Sequence, residues 1–244
     1  MKPVFIALDF PTAAKTFEFL KPFLGIKNLF VKVGMELFYR EGPEIIKKLR
    51  HNNINVFLDL KLHDIPHTVE KAAFQLAKLD VQYTTIHALG GGKMIRAAKD
   101  GLTNGSKNYH NKLPKLLAVT QLTSTSAEQL NVEEQINVSM TESVAHLANI
   151  AYQSGADGVI SSALEDKFIH EEVKKDLLCI NPGIRLNDND NDDQKRVVTP
   201  TKARQLGSDG IVVGRSITQA YNPVETYKMI FSQINGGKQY ESIY

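Results

Sequence analysis

Eight short apolar runs recur along the chain with helical segments between them, and this rhythm limits the possible folds more than any other feature of the sequence. The runs are residues 4–8, 29–33, 56–60, 83–87, 116–120, 158–161, 177–180 and 211–213. They are largely apolar at successive positions rather than alternating, as strands covered on both faces of a parallel sheet are. A segment from Pro11 places Phe17, Leu20 and Leu24 on one helical face, and further helices are expected over about 36–50 and 66–79. Eight units in 244 residues leave roughly 30 residues for each, the size of one βα unit. The expected architecture is α/β, a single (β/α)8 TIM barrel over residues 1–244. An open doubly wound sheet is the alternative, and eight regular units fit closure better.

Composition excludes several classes of partner. With 42% hydrophobic and 23% charged residues and no low-complexity tract, the chain can bury a large core. Its 29 Lys+Arg nearly balance 27 Asp+Glu, so a net charge of +2 creates no field suited to a nucleic-acid polymer or a membrane surface. Cys179 stands alone, cannot form an internal disulfide, and reads as a small buried apolar residue. The apolar start is interrupted by Asp9, and no run of 18 apolar residues follows, which points to a cytoplasmic protein without a membrane span.

Two stretches break the rhythm. Residues 123–141 form an elaborated fifth loop with a weak helical piece at 127–130. Residues 181–200, NPGIRLNDNDNDDQKRVVTP, are too polar to pack and long for a βα connection, and read as a mobile lid or plain disorder.

A barrel places its active site at the carboxyl ends of the strands. Asp9, Lys32, Asp59 with Lys61, His87, Thr123, Arg185 and Gly214-Arg215 fall at those ends. Lys32 lies between Val31 and Val33, and a buried lysine requires a carboxylate partner or a changed pKa. Asp59 and Lys61 are two apart, so both side chains point to one side of their strand. Asp64 follows in the turn, and Pro66 suits the start of the next helix. Carboxylates on both sides of Lys61 would hold it as an ammonium and make it a competent proton donor.

The block Asp59-x-Lys61-x-x-Asp64-Ile65-Pro66-x-Thr68 resembles the signature of the orotidine 5′-phosphate decarboxylase family. Five further blocks extend the resemblance over nearly the whole chain: Ala7-Leu8-Asp9, Val31-Lys32-Val33-Gly34, Gln121-Leu122-Thr123-Ser124, Asn181-Pro182-Gly183-Ile184-Arg185 and Val213-Gly214-Arg215-Ser216-Ile217. The resemblance implies loss of CO2 from C6 of orotidine monophosphate to give UMP, without metal or organic cofactor. It implies that Lys61 stabilises the C6 carbanion and then protonates it, that Asp59 sits near the departing carboxylate, and that Lys32 and Asp64 complete the charged array. Asp9 would meet the ribose hydroxyls, and Thr123 and Ser124 the pyrimidine edge. Gly214 and Arg215 would hold the phosphate through backbone N–H groups and a charge-assisted donor. Pro182, Arg185 and Gln194 belong to the loop that covers the nucleotide. The resemblance further implies an obligate homodimer in which Asp64 and Thr68 enter the neighbouring site.

Other signals point elsewhere only weakly. His63 and His67 are four apart, but Pro66 disturbs the helical spacing and no third ligand completes a zinc site. Asp188, Asp190 and Asp192 open like a calcium loop, yet Asp193 and Thr199 stand where Gly and Glu are needed. The acidic run 187–193 therefore reads as a solvated loop. Gly90-Gly91-Gly92-Lys93 lacks the Ser/Thr of a phosphate loop and reads as the turn into a helix. His87 reads as a packed, hydrogen-bonded histidine, with a direct catalytic role as the alternative. A Mg2+-dependent decarboxylase or aldolase of keto-sugar phosphates shares the Asp-x-Lys-x-x-Asp core and is the rival enzyme. A non-catalytic phosphate- or nucleotide-binding barrel is the rival of another class, but it would gain nothing from two carboxylates beside an anionic ligand.

Overall fold

A computed structural model describes residues 1–186 and 196–238. Among them, eight parallel strands close in sequence order into a barrel, each paired with its neighbours and β8 with β1. The strands are β1 (Val4–Ala7), β2 (Phe30–Val33), β3 (Asn55–Leu62), β4 (Tyr83–His87), β5 (Lys115–Val119), β6 (Gly158–Ile160), β7 (Leu178–Asn181) and β8 (Gly210–Val213). The expected barrel is present, with every run within two residues of its strand.

Each strand has one face towards the barrel axis and one towards the helices. Val4, Ile6, Val31, Val33, Val56, Leu58, Leu116 and Ala118 point outward into the large core shared with the helical layer. Inward-facing Phe5, Phe57, Leu117 and Ile180, with Phe30, Tyr83 and Ile160 packed against them, fill the axis. Phe5 meets Phe30, Phe57 and Tyr83 edge-on, with ring centroids 5.1–5.4 Å apart, the arrangement favoured by ring quadrupoles. The axis is thus a packed plug.

The outer layer contains α1 (Ala13–Leu20), α2 (Met35–Glu41), α3 (Pro43–His51), α4 (Pro66–Ala77), α5 (Gly91–Tyr109), α6 (Met140–Gln153), α7 (Asp166–Glu172), α8 (Pro200–Leu206), α9 (Arg215–Thr218) and α10 (Pro223–Ile234). The single helix expected over 36–50 is two. Gly42, with φ +65°, ends α2, and Pro43 opens α3. Leu24 is exposed rather than on the buried face of α1, because the helix ends at Leu20 and a 3-10 turn over Lys21–Phe23 puts Phe23 into the core instead. In the fifth loop the helical piece is a π-helical turn at Gln129–Glu133, anchored by buried Leu130.

α4 and α5 approach so closely that a Cβ on Gly101 would lie 2.2 Å from the Glu70 carbonyl oxygen, and one on Gly105 2.5 Å from that of Phe74. This contact holds α4, which begins immediately after the Asp59–Asp64 cluster. Among the described residues, no helix is long and apolar enough to cross a membrane.

Candidate active site

The carboxyl ends of the strands surround a cavity of about 860 Å³. Asp9, Lys32, Asp59, Lys61, Thr123, Ser124, Pro182, Arg185, Gly214 and Arg215 all line it, so ten residues expected at the site meet in one volume. The middle of the 181–200 stretch, residues 187–195 with Gln194 and the acidic run, lies outside the described residues.

Four of these side chains form a line of alternating charge. Lys61 Nζ donates to both carboxylate oxygens of Asp59 at 2.9 Å. Lys32 Nζ is 3.7 Å from Asp59 Oδ2 and 3.4 Å from Asp9 Oδ1. The carboxylate that Lys32 requires is therefore supplied twice. Burial alone would push the Asp59 carboxyl up. The two ammonium groups, with hydrogen bonds from Lys61 and Thr85, outweigh it and hold the carboxyl below its ordinary value. Asp59, itself buried, stays ionised at neutral pH.

β3 is not a regular strand at this point. Phe57 and Leu58 pair with Tyr83 and Thr84, but the next pair is Leu62 with Ile86. Asp59, Leu60 and Lys61 thus face Thr85 alone, a bulge that carries two extra residues. Lys61 takes up the distortion with φ +51°, an uncommon conformation for a residue with a side chain. Simple alternation correctly put Asp59 and Lys61 on one side, but the bulge sets their final approach.

Asp64 and Thr68 do not join this line. Both are exposed, neither lines the cavity, and the Asp64 carboxylate accepts the Ile65 N–H at 2.7 Å. Among the described residues of one chain, Lys61 therefore has a carboxylate on one side only.

The two described stems of the 181–200 stretch are packed, contrary to the expectation drawn from its polarity. Ile184 and Val198 are buried and bridge each other, with Arg185 N–H donating to Val198 O and Val198 N–H to Gly183 O, both at 3.0 Å. Arg196 pairs with buried Glu165 and donates to the Leu122 carbonyl at 2.9 Å, tying the stem to the loop that carries Thr123 and Ser124.

His87, at the end of β4, is half-buried and its ring lies 5.4 Å from that of His63. Its Nδ1 is buried with no hydrogen-bond partner among the described residues, so the expected hydrogen-bonded histidine is only partly realised. Burial, reinforced by His63 and Lys61, pulls its pKa down and favours the neutral ring. Cys179 is buried as expected, its thiol pushed up chiefly by burial.

Sequence reasoning did not single out Thr85, Ser161 or Arg196. Ser161 follows β6 and lines the cavity. The same strand-end rule that found Asp9 and Lys32 identifies it once applied to the sixth run. Arg196 and Thr85 carry no comparable signal.

Comparison with known proteins agrees with this geometry. An Orotidine 5'-phosphate decarboxylase / HUMPS family model matches residues 2–230. The chain is 52% identical over 231 residues to an orotidine 5'-phosphate decarboxylase of Latilactobacillus sakei, covering 95% of this chain and 97% of that protein. It is 54% identical over 225 residues to the enzyme of that name from Enterococcus faecalis, covering 92% and 94%. The crystal structure of orotidine 5'-phosphate decarboxylase from Lactobacillus acidophilus superposes with a TM-score of 0.85 at 45% identity, covering 96% of this chain and all of that one. A barrel with this charged line at its carboxyl end and this extent of similarity belongs to the orotidine 5'-phosphate decarboxylase / HUMPS family.

Proposed function

We propose that the chain decarboxylates orotidine 5′-phosphate to UMP and CO2, a carbon–carbon lyase reaction that completes UMP synthesis, with the charged line as its catalytic machinery. The observation that carries this reading is the Asp9–Lys32–Asp59–Lys61 chain of contacts within a cavity that Arg215 also lines. Phosphate binds at Gly214 and Arg215, the ribose hydroxyls at Asp9, and the pyrimidine edge at Thr123 and Ser124. Pro182 and Arg185 stand on the near stem of the 181–200 stretch, which acts as a lid to which Gln194 belongs.

The C6 carboxylate then lies against Asp59. Cleavage of the C6–carboxylate bond leaves its electron pair on C6 and releases CO2. Lys61 stabilises that negative charge and transfers a proton from Nζ to C6, and solvent later reprotonates the amine. Charge repulsion is only part of the driving force. Two like charges about 4 Å apart at an effective dielectric near 20 repel by roughly 4 kcal/mol, against roughly 20 kcal/mol for a difficult reaction. The remainder comes from stabilising the carbanion beside Lys61 and from binding energy at the distant phosphate.

The proposed assembly is a cytoplasmic homodimer in which Asp64 and Thr68 enter the partner's site. Three observations support it. Asp64 and Thr68 face outward, the neighbouring Ile65 is 66% exposed, and a notch of about 220 Å³ beside Lys32, Asp59 and Lys61 offers space for an entering side chain.

Loss of orotate absorbance on incubating the purified protein with orotidine monophosphate and EDTA tests the proposal. Turnover undiminished by EDTA is expected. Absence of turnover in any buffer refutes the reading, and turnover abolished only by EDTA transfers the assignment to the metal-dependent decarboxylases of keto-sugar phosphates.

A further inference from the structure

The bulge in β3 removes the regular backbone partner of Lys61 and puts a side chain in its place. Thr85 is fully buried and faces the barrel axis beside Leu117. Its hydroxyl oxygen accepts the Lys61 backbone N–H at 2.9 Å, and its O–H donates to Asp59 Oδ1 at 2.9 Å. Asp59 in turn receives the Lys61 ammonium. These contacts close a ring that enters Lys61 through its main chain and leaves through Nζ, with Thr85 and Asp59 between. A buried N–H without a partner is costly, and a positive φ persists only where the surroundings enforce it.

We propose that Thr85 is a positioning residue for the decarboxylation, acting through Lys61 and Asp59 rather than on the nucleotide. This rests on the function proposed above. The hydroxyl holds the Lys61 backbone in its left-handed conformation and at the same time aims one Asp59 oxygen, so the separation of ammonium and carboxylate is set before substrate arrives. Such prior alignment matters because an error of about 1 Å in reacting groups costs roughly 100-fold in rate. The β-branched side chain suits the task, since its rotamer is restricted in a strand.

The test compares Thr85→Val, which keeps the shape and removes the hydroxyl, with Thr85→Ser, which keeps the hydroxyl. Folded Thr85→Val should lose roughly 10- to 100-fold in kcat with less than about a 3-fold change in KM, and Thr85→Ser should stay within about 3-fold of wild type. A purely structural residue would lower thermal stability and leave kcat per folded molecule intact. Thr85→Val within about 2-fold of wild-type kcat, or Thr85→Ser falling as far as Thr85→Val, overturns the assignment. If Thr85→Val does not fold, Thr85→Ala replaces it with the same expectations.

Amide hydrogen exchange of Lys61 supplies a readout independent of turnover. Protection should drop in Thr85→Val and persist in Thr85→Ser, and unchanged protection in Thr85→Val refutes the positioning role. If wild type shows no turnover, the functional reading fails by itself, and the exchange measurement still decides the role of Thr85.

Discussion

The proposed reaction asks Lys61 for two things that oppose each other, a reactive ammonium beside the scissile bond and a backbone twisted to φ +51° to put it there. Asp59 and Thr85 supply the contacts that hold both. Replacing Lys61 with Ala should therefore lower turnover by at least roughly three orders of magnitude, since proton donor and carbanion stabiliser vanish together. UMP affinity should change less than about 10-fold, because phosphate and ribose contacts remain. Turnover assays with product-binding calorimetry measure both, and unchanged turnover excludes Lys61 as the proton donor. This residue was legible in sequence because Asp-x-Lys at a strand end is chemically costly unless used. Thr85 was not, because a threonine in a strand is ordinary, and its importance arises only from a bulge that sequence spacing does not reveal.

At the scale of elements, a buried carboxyl holds three strand ends together. Asp166, at the start of α7, accepts from Asn181 at the end of β7 at 2.8 Å, from Ser208 ahead of β8 at 2.7 Å, and from Ser161 after β6 at 3.3 Å. Its pKa is pushed up to about 7, chiefly by burial, although the hydrogen bonds from Ser208 and Asn181 work against it. A folded pKa above the unfolded value of 3.8 contributes stability that is complete below about pH 3.8 and lost as pH rises through about 7. The displacement amounts to at most about 4 kcal/mol. Asp166→Asn should therefore flatten the part of the Tm profile that declines between pH 4 and 6. Thermal unfolding of both proteins across that range measures it, and parallel profiles refute the assignment. His170, raised chiefly by Asp209, loses its own contribution only above its unfolded value of 6.5, outside that window.

The elements themselves were readable from apolar runs because the barrel strands are covered on both faces. The break at Gly42-Pro43 was equally available from residue type. The packed stems around 181–200 were not, since Ile184 and Val198 are diluted by polar neighbours and their bridge joins residues 14 apart in sequence.

For the whole molecule, outward-facing Asp64 makes a prediction about shared sites. Lys61→Ala and Asp64→Ala should each be nearly inactive, yet mixing the two under conditions that exchange subunits should recover activity. Half of the dimers become mixed and one site in each is intact, so the recovery should reach about a quarter of the wild-type sites. Sedimentation tests for the proposed dimer, and mixtures without recovered turnover refute the shared site.

The plug of Phe5, Phe30, Phe57 and Tyr83 has a kinetic consequence. It closes the amino-terminal end of the axis, and a separate cavity there touches Tyr83 and Ile180 but shares no lining residue with the active site. Among the described residues, the nucleotide therefore has no route through the amino-terminal end of the axis, and substrate and product share the carboxyl-end cavity. UMP must leave before the next substrate enters, so the two exclude each other from the same form of the enzyme. Product inhibition is then purely competitive, and a high enough concentration of substrate abolishes it.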